Sequence, residues 1–466
     1  MKAFIRIIQI SVLQLLLVLS TSISVKSQTF DIDTILYNGD PDKFINFVYM
    51  GDGYKAEELS AYIEHVTTTS NFLFTTHPFT YYKNYFNVFA IKISSNESGA
   101  DHPRTAPDCP PESEHPSLYV YNYFGSSFDY YDIHRLLVPT DYETVHYTLL
   151  ENFPLYNSAF MLVNTPYYGG SGGWISTSSI NEYSNHIVVH EIGHTFANLA
   201  DEYWAGDMYA TEKANMTQET NPNLVKWKNW IGYEGVGIYQ HGESGVAANW
   251  YRPHESCQMR FLDSPFCPVC TEAIVLRIIE LFGNPILSYY PNQSVIHVTE
   301  DSIQFNLDIV KPEPNTIRVK WILNGNLFTT NIDSVKIYSN QLLTGNNVLR
   351  VEVLDTTSFI RADNHEANNT FTLQWVINKN TSNIIVSDYE NNIKVYPNPV
   401  SDDLIIEIED NNNIVNFDII NSMGQVVYTG NLLNKTIVKT NDFTPGTYII
   451  VLENGQKFEF RKIVKQ

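Results

Sequence analysis

The sequence predicts an α/β or α+β unit with a mixed sheet, followed by two small all-β sandwich domains. Three observations support this prediction. The chain of 466 residues is long enough for three domains. Strand-like and helix-like patterns alternate up to about residue 283, whereas only short alternating runs typical of strands follow. A helical segment near the middle also carries two histidines four residues apart.

Residues 1–27 have the pattern of a secretory signal. Lys2 and Arg6 supply the charged start, residues 7–19 are mostly apolar, and small residues precede a predicted cut before Gln28. The apolar run is too short and too interrupted for a bilayer span, and no lipoprotein-type cysteine follows it. We therefore expect an exported, soluble mature chain.

Residues 28–150 are predicted to form the N-terminal part of the first unit. Residues 47–50 and 87–93 have strand patterns, and a helix is expected over residues 56–74. Apolar residues recur on that helix at helical spacing: Leu59, Tyr62, Ile63 and Val66. The aromatic run over residues 119–131 is interpreted as core and loop packing.

Residues 151–283 contain the segment that carries chemistry, which begins His190-Glu191-Ile192-Gly193-His194. Two histidines four apart lie on one face of a helix and can bind one Zn²⁺, and the glutamate between them reaches a metal-bound water. The alternative, a core helix with two satisfied histidines, leaves Glu191 unexplained. The pattern therefore indicates a metal-assisted peptide hydrolase.

The third ligand must come from outside this helix. His186 continues the spacing, but it would lie ~12 Å from His194 along an unbroken helix, too far for one ion. Asp201 can bind only if the chain turns back, and Asn198 is the expected turning point because asparagine tolerates the left-handed conformation. Asp201 is favoured over Glu202, although either could be an exposed carboxylate at a helix end.

Two further segments are predicted to surround the site. Metzincin-type zinc peptidases place a methionine turn beneath the metal, and Met259 fits that role, although methionine is also common core filler. Residues 160–163 are predicted to form an edge strand that binds an extended substrate by strand addition. The strand leads to a glycine-rich rim or a mere loop, made of Gly169, Gly170, Ser171 and Gly172.

Several blocks in order resemble the IgA-peptidase family of secreted bacterial zinc metallopeptidases, which is metzincin-like. The resemblance covers roughly residues 30–280, and its most specific part is the His190–Tyr203 run. The other blocks are residues 50–54, 87–91, 98–101, 135–137, 168–172, 251–253, 257–260 and 267–270. The resemblance implies a zinc endopeptidase with ligands His190, His194 and Asp201 and with Glu191 as catalytic residue. It does not imply that immunoglobulin is the substrate.

The expected mechanism is hydrolysis of peptide bonds by metal-activated water, with Glu191 as the general base. Tyr203 and Tyr251 are candidate donors to the oxyanion. Other classes remain open: a surface adhesin or glycan-binding protein with an inactive peptidase part, or a hydrolase of non-peptide amides such as a sugar deacetylase. Chelator-sensitive cleavage of peptides would discriminate between them.

Four cysteines in an exported chain predict two disulfides among three pairings, with one bridge near Met259. Metal binding or thiol exchange at Cys267 and Cys270 is discounted, because a second cysteine pair with zinc spacing is missing. Asp52 and Asp101 could bind Ca²⁺, but no EF-hand spacing supports calcium. With 29 basic and 51 acidic residues, the net charge of −22 argues against nucleic acid or anionic membranes as partners.

The remainder of the chain is predicted to be all-β. Residues 286–376 have the strand spacing of an immunoglobulin-like sandwich, for substrate docking or as a spacer. A polar linker over residues 378–392 leads to residues 393–466. These resemble the C-terminal sorting domain of type IX secretion cargo in Bacteroidetes, which implies export across the outer membrane and attachment to the cell surface. Another small carbohydrate-binding or spacer sandwich is the alternative.

Overall fold

The computed structural model describes residues 29–379, 393–408, 415–454 and 457–466. The predicted signal segment and residues 380–392 of the predicted linker lie outside the described residues. Among the helices of the described residues, none is both long and apolar enough to cross a membrane.

The first unit is built on one mixed six-stranded sheet with the order β1-β3-β2-β6-β8-β7. The four central strands β3, β2, β6 and β8 are parallel to one another. The edge strands β1 and β7 are antiparallel to their neighbours. The strands of this sheet are β1 (Ile32–Leu36), β2 (Ile45–Asp52), β3 (Phe86–Ile91), β6 (Ser158–Val163), β7 (Gly170–Ser171) and β8 (Ile175–Ser179). Two short strands, β4 (Ser126–Ser127) and β5 (Val138–Pro139), pair with each other outside it. The predicted mixed sheet is confirmed.

Helices cover both faces of this sheet, because its central strands are buried on both sides. Phe47 and Tyr49 of β2 face one apolar core, and the alternating residues Val48 and Met50 face another. The helices are α1 (Leu59–Leu73), α2 (Phe79–Tyr82), α3 (Tyr142–Asn152), α4 (Ser184–Thr195) and α5 (Pro268–Phe282). Helices α1, α4 and α5 pack on the first core and α3 on the second.

One strand prediction is wrong in a way that matters for substrate binding. Strand β6, expected at an edge, lies inside the sheet between β2 and β8. The edge strand is the two-residue β7, and the peptide segment at Leu136 already forms a bridge to Gly170 on its outer side. A substrate strand could therefore add only beyond β7, toward Gly172. A small hairpin of β9 (Tyr239–Gln240) and β10 (Tyr251–Arg252) completes the unit.

Residues 286–379 form two further sheets around one apolar core. Their orders are β11-β13-β16 and β12-β18-β17-β14-β15. Asn324 and Gly325, both with positive φ, make the predicted tight turn between β14 and β15. The elements are β11 (Ile286–Tyr290), β12 (Val295–His297), β13 (Ser302–Ile309), β14 (Ile317–Leu323), β15 (Asn326–Thr330), β16 (Ser334–Tyr338), β17 (Gly345–Asp355), α6 (His365–Asn369) and β18 (Phe371–Lys379).

The sandwich of β11–β18 contacts the first unit through buried polar groups. The Tyr82 hydroxyl donates to Asp355 Oδ2 at 2.8 Å. The Glu272 carboxylate of α5 accepts the Trp230 indole N–H at 2.8 Å and the backbone N–H of Ala362 at 2.8 Å. These hydrogen bonds connect the sandwich to helices α2 and α5 of the first unit.

The C-terminal region is also all-β, with sheet orders β19-β20-β23 and β22-β21-β24-β25. Its buried core includes Leu404, Ile406, Phe417, Ile419 and Ile450. The strands are β19 (Ile393–Tyr396), β20 (Asp403–Ile408), β21 (Val415–Asn421), β22 (Val426–Leu432), β23 (Lys435–Lys439), β24 (Gly446–Asn454) and β25 (Lys457–Lys465). Mixed α+β structure followed by β-rich regions thus agrees with the predicted fold class, and the finer metzincin-like description stays a prediction.

Candidate active site

Two histidines and one aspartate converge at the C-terminal end of α4. His190 Nε2 lies 3.2 Å from His194 Nε2, because the two residues are one helical turn apart on the same face. Asp201 Oδ1 lies 3.1 Å from His190 Nε2 and 3.2 Å from His194 Nε2. The three atoms therefore face a common point.

Asp201 reaches this point because the chain reverses directly after the helix. Asn198 has a φ of 52°, the left-handed conformation predicted for the turning residue. The N–H of Leu199 donates to the Gly193 carbonyl at 2.9 Å and closes the turn. The prediction that Asn198 turns the chain is confirmed.

Backbone carbonyls fix the orientation of both imidazole rings. His190 Nδ1 donates to the Gln258 carbonyl at 2.9 Å, and His194 Nδ1 donates to the Leu199 carbonyl at 2.8 Å. A carbonyl oxygen can only accept, so each Nδ1 carries a proton and Nε2 is the ring atom of each histidine that faces Asp201. Two imidazole nitrogens and one carboxylate oxygen directed at one point form a ligand set that fits Zn²⁺. Hydrogen bonds from the outer nitrogen of each ring to a backbone carbonyl are typical of metal-binding histidines.

The electrostatics of the cluster favour positive charge. Burial by itself would lower the pKa of His194, but the hydrogen bond and the charge of Asp201 raise it to about 9. Burial opposes ionisation of Asp201, yet its hydrogen bonds to His190 and His194 hold its pKa well below the usual range. The carboxylate therefore stays ionised, ready to compensate a cation.

Glu191 lies beside this cluster and faces the cleft. Burial raises its pKa above the ordinary value, and the neighbouring histidines only partly offset this effect. A Cβ atom added at Gly172 would lie 2.6 Å from Glu191 Oε2 and 2.9 Å from His194 Cδ2. The absence of a side chain at Gly172 therefore leaves the space in front of the Glu191 carboxylate open.

The turn that contains Met259 supports the cluster from behind. Met259 is fully buried and packs against Gly193 on the back of α4. Its carbonyl accepts the N–H of Glu202 at 2.7 Å, and the preceding residue, Gln258, provides the carbonyl for His190. This placement agrees with the predicted methionine turn. His186, by contrast, bonds the Leu262 carbonyl at 3.0 Å and lies outside the cluster.

The cluster opens into a cleft with a volume of about 870 Å³. Gly170, Ser171 and Gly172 line it as predicted, whereas Gly169 is buried against Phe128 and does not. Tyr203 lines the cleft with its ring parallel to that of His190, at a centroid distance of 6.3 Å.

Only one of the two predicted oxyanion donors, Tyr203, lines the cleft. Tyr251 lies in β10, paired with Gln240, and does not line it. Arg135 also lines the cleft, and the only signal for it in the sequence is its place in the 135–137 block of the family resemblance. Its guanidinium lies 6.0 Å from the centre of the Tyr203 ring.

Glu202 is neither a third ligand of the histidine cluster nor an exposed carboxylate. It is fully buried, and its Oε1 lies 3.1 Å from Cys270 Sγ and 3.8 Å from Cys267 Sγ. Burial, followed by the charge of Cys257, raises its pKa well above the ordinary value.

The predicted disulfides are absent, since all four cysteines are free. Cys257 Sγ and Cys270 Sγ are 3.7 Å apart, whereas a disulfide needs about 2.05 Å. Cys109 contacts His102 and Asp129 rather than another cysteine. Three cysteines and the Glu202 carboxylate thus form a cluster directly behind Asp201, with ligand atoms within 4.8 Å of one another.

The candidate calcium ligands have other partners. Asp52 is fully buried and accepts hydrogen bonds from the backbone N–H groups of Tyr123 at 2.7 Å and Ser126 at 3.0 Å. Asp101 Oδ1 accepts the N–H of Val120 at 2.7 Å. Both carboxylates therefore hold loops in place, which explains these aspartates without calcium.

Comparison with known families confirms both resemblances. Residues 34–238 match the family described as IgA Peptidase M64, and residues 394–466 match the secretion system C-terminal sorting domain. The first match includes the His190–Tyr203 run and ends before Met259. Residues 34–238 are therefore similar to a peptidase family. The match of residues 394–466 to a sorting domain indicates secretion or cell-surface localisation.

Solved structures give weaker likenesses. SGBP-B of the Bacteroides ovatus mixed-linkage glucan utilization locus is 14% identical, with 39% of this chain and 46% of that chain covered and a TM-score of 0.15. A Parabacteroides merdae β-glucuronidase is 11% identical, with 47% and 28% covered and a TM-score of 0.15. The chain thus spans less than half the length of these two proteins. TM-scores of 0.15 do not indicate a shared fold. No curated protein is significantly similar to this chain.

Proposed function

We propose that the protein is a secreted zinc-dependent endopeptidase that uses Glu191 as general base. The observation that carries the proposal is the convergence of His190 Nε2, His194 Nε2 and Asp201 Oδ1 within 3.2 Å of one another, with both imidazole tautomers set by backbone carbonyls. The peptidase-family match of residues 34–238 supports the same conclusion.

His190, His194 and Asp201 would hold the zinc ion, and Met259 would form the apolar base beneath them. When bound, zinc lowers the pKa of a water molecule toward neutrality and polarises the scissile carbonyl. Met259 contributes no polar atom to the cluster; it fixes the helix by filling the space behind Gly193.

Glu191 would move the protons of the reaction. Its carboxylate takes a proton from the attacking water and then delivers one to the leaving amine. Partial burial suits this role, because it raises the pKa of the carboxyl toward the working pH. Gly172 leaves the approach to Oε2 free of side-chain atoms.

Tyr203 would stabilise the oxyanion with its hydroxyl. Burial raises its pKa above the ordinary value, so the hydroxyl keeps the proton that it must donate. Arg135, beside Tyr203, would position the ring and add positive charge to the same side of the cleft.

The test combines two variants with two measurements. Glu191→Ala in the full chain should keep one zinc ion in this site, by metal analysis, and lose most cleavage of a proteome-derived peptide library. Glu182→Gln, an exposed carboxylate outside the cleft, is the control and should cleave as wild type. Full activity of Glu191→Ala with zinc bound would refute the catalytic assignment. Absence of chelator-sensitive cleavage by the wild type would favour a purely binding role.

A further inference from the structure

A second group of potential metal ligands lies in the long connection between β3 and α3. His102, Cys109, Asp129 and His134 meet there, with one ligand atom of each within 4.8 Å of all the others. The side chains of His102, Asp129 and His134 are 0%, 1% and 14% exposed. Cys109 is partly buried, so the group as a whole is largely shielded from solvent, and it is separate from the cluster on α4.

Four of the six distances between these atoms are close to the edges of a tetrahedral ligand shell. Asp129 Oδ1 lies 3.1 Å from His134 Nδ1, 3.6 Å from His102 Nε2 and 3.3 Å from Cys109 Sγ. Cys109 Sγ lies 3.9 Å from His102 Nε2. Around Zn²⁺, with ordinary Zn–N, Zn–O and Zn–S bond lengths, the edges of the tetrahedron are about 3.3 to 3.6 Å.

The outward-facing atoms of His102, Asp129 and His134 each contact another group. His102 Nδ1 donates to the Pro116 carbonyl at 2.9 Å, and Asp129 Oδ2 accepts the N–H of Thr105 at 2.9 Å. His134 Nε2 lies 3.3 Å from His115 Nδ1. Such outer contacts hold the remaining atom of each group pointed inward, as around bound metals.

Asp129 Oδ1 is the shared centre of the group, because it faces His102 Nε2, Cys109 Sγ and His134 Nδ1 at 3.6, 3.3 and 3.1 Å. The side chains of His102 and Asp129 are shielded from water. A buried carboxylate is costly unless it is paired, and a cation held by the four groups would compensate its charge.

We propose that His102, Cys109, Asp129 and His134 bind a second zinc ion in a closed, structural site. Two imidazoles, one thiolate and one carboxylate form a borderline ligand set that suits Zn²⁺ better than Ca²⁺ or Mg²⁺. On binding, the Cys109 thiol releases its proton to solvent, and no redox change is involved.

The second zinc site lies next to the segment that forms one wall of the cleft. His134 precedes Arg135, and residues 130–138 supply one wall of the cleft next to Tyr203. The second zinc would therefore hold the wall against which a substrate lies. This role rests on the proposed peptidase function, whereas the metal site itself does not.

The experiment starts from the full-length double variant His190→Ala/His194→Ala, which lacks the ligands on α4. It should still contain one zinc ion per chain, and adding Cys109→Ser or His134→Ala should remove that ion and lower the melting temperature. His297→Ala, an exposed histidine of the sandwich, is the matched control and should retain the ion.

X-ray absorption of the double variant decides the outcome even if the Cys109 and His134 variants fail to fold. One sulfur and two imidazole nitrogens around zinc would support the proposal. A metal-free double variant would overturn it, as would an ion bound by three sulfur atoms, which only the cluster of Glu202, Cys257, Cys267 and Cys270 could supply among the described groups. Because the double variant is inactive by design, these results are independent of the peptidase proposal.

Discussion

Gly193 of α4 and the thioether of Met259 are in direct contact, with no room for a methyl group between them. Both residues are fully buried beneath His190 and His194. The contact therefore sets the distance between the helix that carries the two proposed histidine ligands and the turn that orients one of them through the Gln258 carbonyl.

Gly193→Ala should push α4 away from the Met259 turn. Because the Cβ atom would overlap Met259 Sδ, we expect a loss of about 1–3 kcal/mol in the free energy of unfolding, together with weaker zinc binding. Urea denaturation and metal titration measure the two effects. The double variant Gly193→Ala/Met259→Ala should recover part of the zinc affinity, and strictly additive effects would contradict direct contact.

The turn at Asn198 provides a second test, because its φ of 52° is strained for most side chains. Asn198→Val should be less stable than Asn198→Gly by about 1–2 kcal/mol. The valine variant should also bind zinc more weakly, since the turn positions Asp201. Equal stability and equal zinc affinity of the two variants would show that the left-handed turn does not control the third ligand.

Local sequence patterns were sufficient to predict the helix with His190 and His194 and the turn at Asn198. Helical spacing and the left-handed tolerance of asparagine are properties of neighbouring residues, so no tertiary information was needed. The strands around residues 47–50 and 160–163 were found for the same reason, since buried strands are continuous apolar runs.

The errors concern contacts between residues far apart in sequence. The sequence leaves Glu202 open as a third ligand or an exposed carboxylate, because only the fold brings it to Cys270, 68 residues away. It predicts an edge position for β6, because strand order depends on pairing with β2, which the pattern of β6 does not encode. It does not connect His102 with Asp129, because no short spacing links them.

Substitution of Gly172 tests whether the space in front of the Glu191 carboxylate, the proposed general base, is needed for cleavage. Gly172→Ala would place a methyl group 2.6 Å from Glu191 Oε2, so kcat should fall at least tenfold while the zinc content stays at the wild-type level. Peptide cleavage kinetics and metal analysis measure this. Wild-type kcat in this variant would place the reacting groups elsewhere.

The contact between the first unit and the sandwich depends on Glu272. Glu272→Ala removes the acceptor for Trp230 Nε1 and the N–H of Ala362, so we expect a loss of about 1.5–3 kcal/mol in unfolding free energy. Glu280→Ala, an exposed change on the same helix, is the control and should alter stability by less than about 0.5 kcal/mol. Equal effects of the two substitutions would mean that Glu272 does not secure the sandwich.

His241 should make stability fall in mild acid. Burial, followed by the charge of Arg252, lowers its pKa to about 4, against about 6.5 in an unfolded chain. Between these values the unfolded state binds more protons, so this contribution to stability is complete above pH 6.5 and is lost as the pH falls toward 4. A backbone hydrogen bond at Tyr203 and the charge of Asp201 favour the imidazolium, but they only partly offset burial and the charge of Arg252. Urea denaturation at pH 7.5, 6.0 and 5.0 should therefore show a steeper decline for wild type than for His241→Gln. Parallel curves would show that His241 is protonated as readily in the folded chain as in the unfolded one.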